Sequence, residues 1–311
     1  MRKLVIGTRG SKLALWQAEY IAAELRQANP GLEISLLVIK TRGDKIQDVP
    51  LAKVGGKGLF VKEIEQALVR EEADLAVHSI KDVPWERADG LTLCTLPERA
   101  DPRDALVIRQ GVAAVGLEDL PPGALVGTSS LRRRCQLESL RPDLRVEDLR
   151  GNVDTRLAKL DRGDYDAILL ACAGLRRLGL AQRISAALDP EHFVPAVGQG
   201  AIGVEVRQAD QEVQQLLAPL HHLDTAVRVG AERAFLGRLG GGCQVPIAAH
   251  AVLDGEQMRL DALIGHPTGT PMFRDSEVGP VAHGEAMGVR LAERLLAAGG
   301  AAVLDEIMNE A

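Results

Sequence analysis

The stretch ALVGTSSLRRRCQLESL, residues 124–140, sets the pattern on which the fold rests. Ala124–Val126 is a short apolar run closed by Gly127, as in a buried strand, and Ser130–Leu140 reads as the helix that follows. Strand, polar turn and helix in succession are the unit of an α/β sheet. Arg132, Arg133 and Arg134 fall in the first turn of that helix. Cations are misplaced there, because a helix N-terminus already carries partial positive charge. An anion resolves the conflict, held by backbone N–H groups, the Thr128 and Ser129 hydroxyls and the guanidinium groups. A solvated basic face with internal ion pairs is the alternative.

The same unit recurs on both sides. Lys3–Gly7 reads as a strand, and Ser11 can cap a helix whose apolar positions are Ala14, Ala18, Ile21, Ala22 and Leu25. Asn29-Pro30-Gly31 ends that helix. Leu32–Ile39 is a strand, residues 40–58 are a loop rich in glycine and lysine, and Phe60, Ile64, Ala67 and Leu68 mark a second helix. Leu75–His78 and Leu91–Leu96 are strands. A second unit opens near Asp101-Pro102, with strands at Ala105–Ile108, Arg145–Leu149 and Ala167–Ala171 and a helix at Val153–Leu160. The alternation predicts α/β lobes with mostly parallel sheets covered on both faces. From about residue 222 the pattern changes. A helix over Thr225–Arg238 stops at three glycines, strands follow at Ile247–Leu253 and Met258–Leu263, and a helix over Glu285–Ala297 completes a small α+β unit.

The chain has 311 residues, enough for two or three domains, and a formal net charge of −6. That balance argues against nucleic acid or an anionic membrane as partner. Aromatic residues are only 3%, too few for stacking platforms. Cys94, Cys135, Cys172 and Cys243 form no C-x-x-C pair, so reduced thiols in a cytoplasmic setting are expected. No apolar run has the length of a secretion leader or the roughly 18 residues of a membrane span.

Polar clusters follow four strands: Thr8–Ser11, Ser79–Asp82, Gly127–Arg134 and Arg150–Asn152. Ligands of open α/β sheets bind outside the carboxyl ends of the strands, so these clusters should share one or two clefts. Between Ser130 and Leu180 there are eleven Lys and Arg against eight Asp and Glu, a local excess of three in an acidic chain. Arg9, Arg150, Arg156 and Arg177 lie in neighbouring segments, and arginine suits carboxylates or phosphates held by paired bonds. Asp82 reads either as a surface ion pair or as the one carboxylate facing a basic cleft, able to stabilise a cation or move a proton. Cys243 reads either as a small buried residue after a helix end or as a thiol displayed for attachment. Val54–Gly58 fails the phosphate-loop pattern, because Leu51 stands where a glycine is required and Gly58 where Ser or Thr is. Gly198–Gly203 matches G-x-G-x-x-G but leads into an apparent strand, so it reads as a tight crossing between domains. His221 and His222 lack a third ligand at suitable spacing, so no metal is expected. Cys94, Cys135 and Cys172 read as packing.

Taken together, these strings resemble the porphobilinogen deaminase family along essentially the whole chain. The matching motifs are Thr8-Arg9 through Ser11 with Leu13-Ala14, Thr41–Asp44, KVGGKGLF (53–60), HSIKDVP (78–84), Asp101–Asp104, Gly127–Arg133, LRGN (149–152) with Thr155-Arg156, PAVGQG (195–200) and GGCQVP (241–246). The resemblance implies two lobes like those of periplasmic binding proteins plus a third domain. Its boundaries would be 1–99 with 200–217, then 100–199, then 218–311. It implies a dipyrromethane cofactor joined by a thioether to Cys243, and sequential addition of four porphobilinogen units with loss of ammonia. Hydrolysis would then release hydroxymethylbilane for uroporphyrinogen-III synthase. By the same resemblance Asp82 is catalytic. Arg9, Ser11, Lys81, Thr128, Ser129, Ser130, Arg132, Arg133, Arg150, Arg156, Arg177 and Gln199 bind cofactor or substrate. Lys53 and Lys57 sit on a lid loop, and the chain is a cytoplasmic monomer. A non-catalytic anion-binding module would leave the third domain and Cys243 unexplained. A Schiff-base enzyme using Lys81 or Lys57 would leave the arginines without a use.

Overall fold

The structure, a computed structural model, describes residues 3–45, 58–240 and 245–310. Lys53, Lys57 and Cys243 lie outside the described residues. The first lobe begins with β1 (Lys3–Arg9) and α1 (Lys12–Ala28). Ser11 caps α1, its Oγ accepting the Ala14 N–H at 3.2 Å. The predicted apolar face is the buried one: Ala18, Ile21, Ala22 and Leu25 pack on Leu4, Ile6, Leu75 and Val77. The lobe continues with β2 (Glu33–Ile39), a single turn α2 (Arg42–Lys45), α3 (Lys62–Val69), β3 (Leu75–Ser79) and β4 (Leu91–Thr95).

The second lobe contains β5 (Asp104–Ile108), β6 (Leu125–Gly127), α4 (Leu131–Leu140), β7 (Arg145–Glu147), α5 (Val153–Asp161), β8 (Ala167–Ala171), α6 (Cys172–Arg177) and β9 (Ala186–Ala187). The chain then returns to the first lobe as β10 (Ile202–Arg207), followed by α7 (Gln211–Leu217). The sheet orders are β2-β1-β3-β10-β4 and β7-β6-β8-β5-β9.

The two sheets are mixed rather than mostly parallel. Strands β2-β1-β3 and β7-β6-β8 are parallel, whereas β10 and β5 run antiparallel to both neighbours. Each antiparallel strand is the one by which the chain crosses from the other lobe. It therefore enters its sheet at the end where the parallel strands leave. The two crossings touch where Ala100 N–H donates to the Gly200 carbonyl at 3.2 Å. Gly200 has φ +87°, and a Cβ there would stand 2.5 Å from the Ala100 oxygen, so the approach admits glycine alone.

The third unit places α8 (Leu223–Arg238) against the antiparallel strands β11 (Ile247–Asp254), β12 (Gln257–Gly265) and β13 (Met272–Pro280). Next come α9 (Gly284–Leu295) and α10 (Ala301–Glu310). Phe235, Ile247, Leu260, Ile264 and Leu291 form its core. β13 and α10 were not expected from sequence. No residue of β13 is fully buried, so it lacks the apolar alternation that marks a half-buried strand. Among the described residues, no helix is long and apolar enough to cross a membrane.

Candidate functional site

The expected polar clusters stand at the carboxyl ends of the parallel strands, where both sheets change winding direction. In the first lobe Arg9 ends β1, and Lys81 and Asp82 belong to one 3-10 turn directly after β3. Arg9, Ser11, Gln17, Phe60, Ser79 and Asp82 line one small pocket there. Arg9 is gripped from inside the lobe: Nη2 meets Asp44 Oδ1 at 2.5 Å, Nε meets the same carboxylate at 3.2 Å, and the guanidinium lies 4.2 Å over the Phe60 ring.

In the second lobe Thr128 is buried at the end of β6, its hydroxyl accepting the Ser130 N–H at 3.2 Å. Ser130 caps α4 through the Arg133 N–H, and the Ser129 hydroxyl donates to the Leu149 carbonyl at 3.0 Å. The anion that the cationic first turn of α4 demands is partly internal. Asp104, the first residue of β5, is fully buried between Arg132 (2.7 and 3.0 Å) and Arg133 (2.7 and 2.8 Å). Burial opposes its charge, but the two guanidinium groups outweigh burial and hold Asp104 well below the usual carboxylate range. Arg132 also donates to the Val194 carbonyl and Arg133 to that of Leu169. Both arginines are therefore largely committed within the lobe. Gln199 joins them, its Nε2 donating to the Pro102 carbonyl at 2.7 Å and to Asp104 at 3.2 Å.

Electrostatic coupling brings the two lobes' groups together. Burial draws Lys81 down to about 8; Asp82 opposes this, Arg133 adds to it, Asp104 opposes and Arg132 adds. Burial, then Arg133 and Arg150, pulls Arg156 down to about 10 against the pull of Asp82. Arg156 fixes its Nε on the Gly151 carbonyl at 2.7 Å. Among the described residues, Arg150 Nη1 is buried with no hydrogen-bond partner. Arg177 stands apart from this cluster. Its Nη2 bonds the Gly200 carbonyl at 2.8 Å and its guanidinium lies 5.7 Å over Trp16, so it joins the second lobe to the first. Cys135 and Cys172 are fully buried, and burial pushes their thiols up to about 12 and about 11, as packing residues require.

Sequence reasoning assigned no role to Asp104 or Asp44. The available signal at Asp104 was a charge opening an otherwise apolar strand, because a fully buried aspartate is paired almost without exception.

Two crossed lobes with cationic strand ends, Asp82 among them, and a buried guanidinium nitrogen left unsatisfied among the described residues define a two-lobed α/β protein built to hold a polycarboxylate. An unpaired N–H in that setting costs free energy until an acceptor meets it, so the residues fit a dipyrromethane bearing carboxylate side chains. The chain belongs to the porphobilinogen deaminase family. The family's dipyromethane cofactor binding domain matches residues 4–215, and its C-terminal domain matches residues 226–297. The family is that of hydroxymethylbilane synthase, a transferase of tetrapyrrole biosynthesis with porphobilinogen as substrate and dipyrromethane as cofactor.

Among solved structures the chain is similar to the VFT2 domain of BvgS from Bordetella pertussis, at 16% identity and TM-score 0.42 over 69% of this chain and 84% of that one. It is also similar to a probable amino-acid ABC transporter extracellular-binding protein from Bacillus subtilis (11%, 0.43, over 71% and 90%). A third is a Salmonella typhimurium periplasmic binding protein of high arginine specificity (13%, 0.43, over 73% and 94%). Scores of this size carry no argument about ligand or activity.

Proposed function

We propose that Lys81, Arg150 and Arg156 form the seat of the cofactor and substrate carboxylates, that Arg133, held by Asp104, adds its positive field behind them, and that Asp82 is the catalytic carboxylate among them. The observation that carries this reading is the Nη1 of Arg150, buried with no hydrogen-bond partner among the described residues, beside a cluster of cations whose other acid, Asp104, is already paired with Arg132 and Arg133. Arg9 and Ser11 receive the incoming porphobilinogen from the first lobe. Thr128, Ser129, Ser130, Arg132, Gln199 and Arg177 complete the lining or hold it in shape. Each porphobilinogen unit brings an acetate and a propionate. Charge buried without a partner is expensive, so the lining must supply cations in number.

The dipyrromethane, when bound, supplies the free pyrrole carbon at which the first unit is added. Asp82 accepts the pyrrole N–H of the substrate. The aminomethyl group is an ammonium at neutral pH; as its C–N bond breaks and ammonia leaves with the electron pair, the Asp82 carboxylate stabilises the positive charge left on the ring. The proton displaced when the new carbon–carbon bond forms passes to Asp82 and then to water. Four such additions precede hydrolytic release of the linear product.

The finer assignments belong to the same proposal. Cys243 is the attachment point through a thioether, which thiols do not exchange. Lys53 and Lys57 belong to a loop over the cleft. The domains run 1–99 with 200–217, 100–199 and 218–311. The chain acts as a cytoplasmic monomer and passes its product to uroporphyrinogen-III synthase.

Denaturing mass spectrometry tests the core of the reading. The purified protein should carry a covalent addition of two linked pyrroles, absent in Cys243→Ser. Asp82→Ala should keep the addition and lose most porphobilinogen turnover. Unmodified protein with full turnover, or near-normal turnover in Asp82→Ala, overturns it.

A further inference from the structure

Arg9 lines the pocket with Ser11 and Asp82, yet one edge of its guanidinium is already taken. The Nε/Nη2 edge meets Asp44 at 3.2 and 2.5 Å, while no described residue meets Nη1. Asp44 is itself fixed: the Thr41 hydroxyl donates to its Oδ2 at 2.8 Å and the Thr41 N–H at 3.3 Å. The guanidinium plane is set by the Phe60 ring, 4.2 Å from the Arg9 Cζ. Phe60 is held against the same turn. The Gly43 N–H donates to the Leu59 carbonyl at 2.9 Å, and a Cβ on Gly43 would stand 2.2 Å from the Phe60 ring. Thus a carboxylate fixes one edge of Arg9 and an aromatic ring fixes its plane, leaving the Nη1/Nη2 end open for a paired grip on a second carboxylate.

We infer that Asp44 and Phe60 are positioning residues for substrate, acting through Arg9 to aim its free end at a carboxylate of incoming porphobilinogen. This rests on the reading that Arg9 meets substrate. Burial opposes the charge on Asp44, but the hydrogen bond and charge of Arg9 outweigh it and hold the carboxyl below its ordinary value, so the clamp is ionised at neutral pH. An arginine so held loses little freedom when substrate arrives, and its contribution to binding is correspondingly larger.

Steady-state kinetics on adduct-bearing protein test the inference, with adduct mass and melting temperature checked for each variant. Asp44→Asn should raise the KM for porphobilinogen by about tenfold with kcat nearly unchanged, since a charge-assisted bond is lost from binding and not from chemistry. Phe60→Leu should raise KM in the same direction by a smaller factor. In an Arg9→Lys background, Asp44→Asn should add less than about twofold, because both changes remove one arrangement. An unchanged KM in Asp44→Asn, or the same tenfold rise with Arg9 already replaced, overturns the inference. Should Asp44→Asn lose its adduct, Phe60→Leu alone decides by the same split between KM and kcat. An unchanged KM in Arg9→Lys is a distinct result, overturning the substrate reading of Arg9 itself.

Discussion

Lys81 shows what the crowded cleft does to a single residue. Desolvation of a half-buried ammonium beside guanidinium groups makes it give up its proton early and draws Lys81 down to about 8 from 10.5. Its charge, and with it its hold on an anion, is complete below that pH and lost above it. The same shift makes its burial costly to folding below about 8 and relieves that cost as the pH climbs toward 10.5. Competitive acetylation of Cys243→Ser protein, which should lack the adduct, is expected to give Lys81 a midpoint near 8, moving upward when a dicarboxylate is added. A midpoint at 10.5 in both conditions would place Lys81 in open water. The sequence showed that cations crowded the start of α4 and that an anion was owed to them. It did not show that Asp104, 28 residues before Arg132, supplies part of that anion. Local patterning registers an imbalance; the partner that settles it is chosen by the pairing of β5 with β8, which no window of neighbouring residues contains.

At the scale of elements, the first strand and helix of the chain were legible because their apolar spacing is one-sided and Ser11 marks the start. The crossing at Gly198–Gly203 was legible by exclusion, a glycine string leading into a strand. Its tightness has a direct consequence for the catalytic turn. A Cβ on Gly198, whose φ is +66°, would stand 2.2 Å from Ile80 Cγ2. Ile80 opens the 3-10 turn that carries Lys81 and Asp82. Gly198→Ala should therefore lower stability by about 1–3 kcal/mol through backbone strain and overpacking. It should lower turnover as well, because the turn must shift. Urea unfolding read beside porphobilinogen consumption checks both, and a variant with wild-type values in each would disconnect the crossing from the turn. Strand β13 escaped detection for the converse reason. Its neighbours fix it through backbone pairing with β12 over nine residues, and its own side chains carry little apolar signal.

Across the whole molecule, one buried carboxylate ties the three units together. Glu232 on α8 accepts from Arg99 at 2.6 and 3.1 Å, from the Gly198 N–H at 2.7 Å and from the Ala251 N–H at 2.9 Å. The interlobe crossings are thereby fastened to the third unit. Burial opposes its charge, but Arg99 and His250 outweigh it and bring Glu232 down to about 2. A carboxyl with a depressed value stabilises the fold above its ordinary 4.5 and stops doing so as the pH falls through that point toward 2. Removing one partner of such a pair strands the other, so Glu232→Ala should cost about 3–5 kcal/mol at neutral pH. The deficit against wild type should shrink on acidification from 4.5 toward 2. Chemical denaturation across that range decides it, and a deficit independent of pH would show that packing rather than charge is at stake. The placement of β10 carries one more consequence, for the order in which the chain can mature. The second lobe is drawn from one continuous segment, whereas the first sheet needs β10 between β3 and β4. A nascent chain leaving the ribosome thus completes its second lobe while the first still lacks an inner strand. The lobe begun earliest is closed only after residue 207 has emerged.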